Sequence, residues 1–158
     1  MNVTPLSQDL IPQVIDLMDL GAPYIRARTS SDYWLYARLF SSSCPVAVID
    51  GAVVGAVMAF RSQEDPQDVY VQDVMTHPEH RRQGIAATLL GMVAKRATEW
   101  GCTRLYPTSE PDNTAAHTLW TSIGFRNLPG DLMIGGVSVI RAFKGPGKDR
   151  AVFQLDLA

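Results

Sequence analysis

Apolar residues recur along this chain with two periods, and each change of period marks an element. Leu10, Ile11, Val14, Ile15, Leu17 and Met18 stand at helical spacing, and Gly21 closes that run. Thr4 to Asp9, just before it, are turn and cap types. A second helix is expected after Ser30-Ser31-Asp32, with Trp34, Leu35, Ala37, Leu39 and Phe40 as its apolar face. Between Ala47 and Phe60 the pattern becomes β-branched and is split by Asp50-Gly51, which predicts a hairpin. Arg61 to Gln67 is polar, contains Pro66 and reads as a loop; Val69 to Thr76 reads as the next strand. Ala86 to Trp100 predicts a strong helix, since Ile85, Leu89, Leu90, Val93, Ala94 and Ala97 fall on one face and Gly101 ends it. Arg104 to Thr108 is a short strand. Asp112 or Asn113 then caps a helix to about Ser122, with Gly124 at its C-terminal stop. Strand material is expected from Met133 to Phe143 and from Ala151 to Leu157, separated by the turn-forming Lys144-Gly145-Pro146-Gly147-Lys148.

No repeat, low-complexity run or linker interrupts this order, so residues 1–158 read as one α/β (α+β) domain. Composition fits that class, with 46% hydrophobic and 19% charged residues. A formal net charge of -2 supplies no general attraction to nucleic acid or to an anionic membrane, so any phosphate recognition must be local. The two cysteines, Cys44 and Cys102, lack disulfide or metal-ligand spacing and read as buried thiols. His77, His80 and His117 show no metal arrangement; His117 is expected at the surface or on the substrate side. The N-terminal segment lacks the apolar run of a signal peptide, and a cytoplasmic location is the default expectation.

The chemistry concentrates between Val71 and Leu90. A strand-like run leads through a proline loop to Arg81-Arg82-Gln83-Gly84-Ile85-Ala86-Ala87-Thr88, where a helix begins. Glycine permits the sharp turn. The first helical turn presents N–H groups with no intrahelical acceptor, at the positive end of the helix dipole. Such a cradle suits a pyrophosphate, and the arginines add charge-assisted hydrogen bonds.

The Arg81, Gly84 and Ala86 pattern resembles the acyl-CoA signature of the GNAT N-acetyltransferase superfamily. Downstream, Asn113, Ala116, Leu119, Gly124 and Phe125 resemble that superfamily's second segment, with Trp120 where tyrosine is usual. The resemblance implies a mostly antiparallel central sheet, flanked by helices and splayed between its fourth and fifth strands to admit acetyl-CoA. It implies that Arg81 to Thr88, Asn113, Ala116, Leu119 and Trp120 hold the coenzyme. It further implies that backbone N–H groups of Val74, Met75 and Thr76, freed by a bulge, polarise the thioester carbonyl.

The resemblance leaves the proton transfers open. The position of the superfamily's usual glutamate is Gln72, which cannot be a base. Asp73, turned by a bulge, or a water chain ordered by Gln72 and Tyr70 would take that role. Trp120 is not a useful acid; Ser122, Thr121 and Tyr106 are substitutes, or Trp120 only packs the coenzyme arm. Tyr24, Arg28 and Tyr33, with Arg26, lie where acceptors are normally held and suit a small polar amine. Pro23-Tyr24 and the strand after Glu64-Asp65-Pro66 resemble diaminobutyrate acetyltransferases. The expected function is transfer of an acetyl group to a primary amine of a small molecule, in a ternary complex. A peptide or protein N-acetyltransferase and a noncatalytic acyl-CoA sensor are the alternatives, and a homodimer is open.

Overall fold

The computed structural model describes residues 1–158. Helices α1 (Ile11–Asp19) and α2 (Ser30–Leu39) precede strands β2 (Pro45–Ile49), β3 (Ala52–Arg61) and β4 (Asp68–Thr76); a short β1 (Asn2–Pro5) opens the chain. Helix α3 (Ile85–Glu99), β5 (Arg104–Ser109), α4 (Thr114–Ile123), β6 (Arg126–Asn127), β7 (Leu132–Ile134), β8 (Val137–Val139) and β9 (Ala151–Asp156) follow. The main sheet has seven strands in the order β1-β2-β3-β4-β5-β9-β6. Only β4 and β5 run parallel in it, because α3 crosses back between them. The mixed, mostly antiparallel architecture expected from the sequence is the one observed.

Local chemistry accounts for the joints. Asp50 and Gly51 both have positive φ (50° and 77°), the conformation a two-residue hairpin turn demands. Helix α2 begins at Ser30, earlier than its apolar run implied. Thr29 caps it by accepting from the Asp32 N–H at 3.1 Å, while the Asp32 carboxylate accepts from the Thr29 N–H at 3.2 Å. Residues 2–5, partly read as turn, form an edge strand on β2; four residues are too few to show a period. The strand material expected over Met133 to Phe143 is the β7–β8 hairpin, a separate two-stranded sheet turning at Gly135-Gly136.

The sheet is covered on both faces. Ile85, Leu89, Leu90, Val93 and Ala97 of α3, with Trp120 of α4, pack on Val54, Val57, Ala59, Val69, Val71 and Leu105. The other face carries Ile11, Val14, Leu17 and Met18 of α1 and Tyr33 of α2, against Val46, Ala56, Met58 and Met75. Gly55 sets the spacing of α3. A Cβ there would lie 2.6 Å from Ile85 Cγ2 and 3.3 Å from Leu89 Cδ1, so only glycine lets the helix seat this closely.

Two irregularities in the sheet shape the site. The β4–β5 ladder runs from Asp68↔Arg104 to Val71↔Pro107 and stops. Proline has no N–H to continue a ladder, and past it β5 pairs only with β9. The Gln72–Thr76 edge of β4 is therefore free on its β5 side. The second irregularity is a bulge. Met58 pairs with Asp73 but Ala59 pairs with Val71, which leaves Gln72 as the extra residue.

Candidate active site

The gap between β4 and β5 opens beside the N-terminus of α3. Gly84 is the cap residue, at φ 76°, and no side chain caps the helix. Arg82 also has positive φ, 64°, so the backbone curls as it enters the helix. A Cβ added to Gly84 would meet nothing within 4 Å. The ground in front of the helix is thus open, with Arg81, Arg82 and Gln83 exposed around it. The first intrahelical bond is Thr88 N–H to Gly84 C=O at 2.9 Å, which leaves the Ile85, Ala86 and Ala87 N–H groups directed at that space. This arrangement fits a pyrophosphate, and the free β4 edge beside it fits an extended amide-bearing arm.

The bulge at Gln72 decides where the acid points. Strand side chains alternate faces, so Asp73 would follow Val69 and Val71 toward α3 in a regular strand. The extra residue reverses that parity. Asp73 sits opposite Met58, and Tyr70 opposite Phe60, both on the α1–α2 face. The bulge lies at Gln72, upstream of the Val74–Thr76 stretch where it was expected. Asp73 forms the floor of a cavity of ≈ 310 Å³ whose other walls are Tyr24, Arg26, Ala27 and Arg28. Its Oδ2 is buried with no hydrogen-bond partner. Burial pushes its pKa up to about 6, against the opposing pull of the Arg28 and Lys144 charges.

The aromatic residues divide by role. The Tyr24 hydroxyl donates to the Asp112 carbonyl at 3.3 Å, joining the α1–α2 loop to the loop before α4. Tyr33, expected to touch the acceptor, is fully buried behind the cavity wall. Its hydroxyl accepts from the Arg28 N–H at 3.1 Å, so it positions the loop that carries Arg28. The Tyr70 ring packs against Tyr106 with centroids 5.3 Å apart. Lys144, which sequence reasoning treated only as turn chemistry, donates from Nζ to the Tyr70 hydroxyl at 2.6 Å and lies 5.2 Å from its ring centroid. Nothing local to residues 144–148 distinguishes this lysine from an ordinary turn residue.

On α4, Asn113 is the cap, its Oδ1 accepting from the Ala116 N–H at 3.2 Å. Ala116 and Leu119 are half-buried against the α3-side core. Trp120 belongs to that core, 5% exposed, and its indole N–H donates to Ser109 Oγ at 2.9 Å. A donor already committed to Ser109 explains how tryptophan is accommodated at a tyrosine position. His117 also departs from expectation. It is buried and stacked on Phe153 at 5.4 Å, and burial lowers its pKa. Met75 has a buried side chain in the α1-side core, so only its backbone is offered to the gap.

Residues 12–125 match the model of the Acetyltransferase (GNAT) family. The chain belongs to the GNAT acetyltransferase family. The two segments, around Arg81–Ala86 and Asn113–Phe125, both fall inside the matched region. The chain is 32% identical over 98 residues to an L-2,4-diaminobutyric acid acetyltransferase of Nocardia farcinica, covering 62% of this chain and 51% of that protein. It is 35% identical over 101 residues to the protein of that name in Streptomyces avermitilis, covering 63% and 56%. The chain spans about half the length of these curated relatives. Its fold superposes with a TM-score of 0.78 on diaminobutyrate acetyltransferase EctA from Paenibacillus lautus, solved with L-2,4-diaminobutyric acid and coenzyme A. That match covers 99% of this chain and 94% of that one at 24% identity, which establishes a shared GNAT fold. No helix of this GNAT chain is long and apolar enough to cross a membrane.

Proposed function

We propose that this protein is an acetyl-CoA-dependent N-acetyltransferase for a primary amine of a small amino acid of the 2,4-diaminobutyrate kind. The observation that carries the proposal is Asp73. A carboxylate turned by a bulge onto the acceptor side of the open strand edge, with a pKa of about 6, is a general base matched to neutral pH. The names of the relatives and the substrate bound to the structural neighbour support the amine class.

Acetyl-CoA supplies the activated acetyl group. The N–H groups at the start of α3, with Arg81 and Arg82, would hold its pyrophosphate, and the free edge at Val74–Thr76 would hold its arm and polarise the carbonyl. Asp73 is ionised above pH 6 and accepts the proton that the acceptor nitrogen sheds as its bond to the acetyl carbon forms. The carbon–sulfur bond then breaks, and the sulfur leaves as a thiolate. A free thiol has a pKa of about 8.5, so departure does not depend on a side-chain acid. That agrees with Trp120, whose N–H is held by Ser109. Tyr24 and Arg28 line the acceptor cavity, and Gln72 and Tyr70 flank the base along β4.

The test is free-thiol release from acetyl-CoA with a panel of diamines, amino acids and peptides. Turnover concentrated on small diamino acids is expected. Coenzyme binding with no turnover on any amine would point to a sensor, and preference for peptides to a protein acetyltransferase.

A further inference from the structure

Outside the residues already assigned, one charged group reaches the acceptor side of the sheet. Lys144 lies 74 positions from Tyr70 in sequence and touches it directly. The turn that carries it is held by hydrogen bonds on both sides. The Arg141 N–H donates to Asp131 Oδ1 at 2.8 Å and the Ala142 N–H to Asp149 Oδ1 at 2.8 Å. Ala142 takes a left-handed φ of 54°, and Lys144 N–H closes the loop onto the Lys148 carbonyl at 3.2 Å. An alanine in that conformation is held against its own preference. The turn thus has a defined geometry that delivers the lysine to Tyr70.

The electrostatics of this region are unbalanced. Lys144 and Arg28 approach Asp73 from different loops, and both charges lower its pKa. Neither is in an ion pair; the ion pairs of the structure are Arg96–Glu99, Arg104–Asp68 and Arg126–Asp156. An ammonium has three donors, and Lys144 commits one, to Tyr70. Two uncommitted cations beside one buried carboxylate would bind an acceptor that brings an anion as well as an amine. A diamine without an anion would meet a net positive charge, since Asp73 offsets only one of the two cations.

We infer that Lys144, with Arg28, forms a clamp for the carboxylate of an amino-acid acceptor and selects it over a bare diamine. The inference rests on the proposed acetyl transfer and deepens it by naming the acceptor group that is read. Tyr70 aims the lysine, and Asp73 takes the amine at the other end of the same small molecule.

The experiment compares L-2,4-diaminobutyrate with 1,3-diaminopropane, which has the same amine spacing and no carboxylate. Wild type, Lys144→Met and Lys144→Arg are measured for kcat/KM. Binding is measured separately, by calorimetry with coenzyme A present. Methionine keeps the apolar stem over Tyr70 and removes the charge. Lys144→Met should weaken diaminobutyrate about tenfold through KM and binding, the low end for a charge-assisted hydrogen bond. Measured at pH 8.5, where Asp73 stays ionised even without the Lys144 charge, diaminopropane should keep its binding or improve, and Lys144→Arg should restore the preference. Equal losses on both amines, or no change on either, would overturn the clamp. Binding that follows the same pattern without turnover of either amine would support the clamp while refuting the proposed reaction. Failure of wild type to bind diaminobutyrate better than diaminopropane would overturn the clamp even with turnover intact.

Discussion

Asp73→Asn should make this protein more stable and less active at the same time. Burial raises the Asp73 pKa from an ordinary 3.8 to about 6. At 1.36 kcal/mol per pH unit, that gap is a folding cost of ~3 kcal/mol for keeping the ionised form in the native state. The sign follows from proton binding. Below pH 3.8 both states are protonated and there is no cost. Between 3.8 and 6 the unfolded chain has released its proton while the folded one keeps it, so native stability falls as pH rises. Above 6 the full cost is present. Asparagine removes the charge but leaves its amide short of partners in the place of an unbonded Oδ2, which returns ~1 kcal/mol or more. The net expectation at pH 8 is a gain of ~1–2 kcal/mol, or roughly 3–6 °C in Tm for a domain of this size. Calorimetric melting of both proteins from pH 4 to 8 measures it. The advantage of the variant should shrink as pH falls through 6, vanish at about 4.5 and reverse below it. In the same variant, thiol release at neutral pH should drop by ~100-fold or more, and the acidic limb near pH 6 should disappear from the rate profile. A variant less stable than wild type at pH 8, or a gap that ignores pH, would refute the claim that Asp73 is held ionised against its burial.

Three other perturbations test separate parts of the structure. Arg82→Ala combined with Gly84→Glu removes one cation and sets an anion at the mouth of the α3 cradle; coenzyme A affinity by calorimetry should fall at least ~100-fold, since each charge-assisted contact is worth ~1.5–3 kcal/mol. Gly55→Ala drives a methyl to 2.6 Å from Ile85 Cγ2, so urea unfolding should show a loss of ~1–3 kcal/mol. Trp120→Phe strands the buried Ser109 Oγ and should cost ~1–3 kcal/mol in the same assay, with kcat within a few-fold of wild type because the indole N–H is committed to Ser109.

Much of the architecture is written in local periods. The spacing of Ile85, Leu89, Leu90, Val93 and Ala97 marks α3, and all five are buried. Asp50-Gly51 marks the β2–β3 turn because few other pairs accept positive φ twice. The cradle proposed for the coenzyme is equally local, since the turn, the arginines and the helix start are contiguous from Arg81 to Thr88. The short β1 and β6 were missed, and the strand material expected over Met133 to Phe143 was not resolved into a hairpin, because two to four residues are too few for a period to emerge.

The proposed acceptor side depends on contacts between distant segments. A bulge is a mismatch of register between two strands, and neither strand alone records it. Gln72 becomes the extra residue only when β3 is laid beside β4, and that placement turns Asp73 toward Tyr24 and Arg28. The free β4 edge depends in the same way on Pro107 of β5 ending a ladder that begins at Asp68↔Arg104. Tyr33, aromatic and in the right segment, reads like a contact residue until packing buries it. Lys144 reads like solvent-facing turn chemistry until the fold brings it onto Tyr70. The sequence by itself determined the helices, the hairpin and the turn with its helix start at Arg81 to Thr88, because their causes act over a few residues of backbone geometry and hydrophobic period. Only the tertiary structure decided that Asp73 meets Tyr24 and Arg28 at one cavity and that Lys144 meets Tyr70 on the same face of the sheet, because register and loop closure act between segments that the chain order keeps apart.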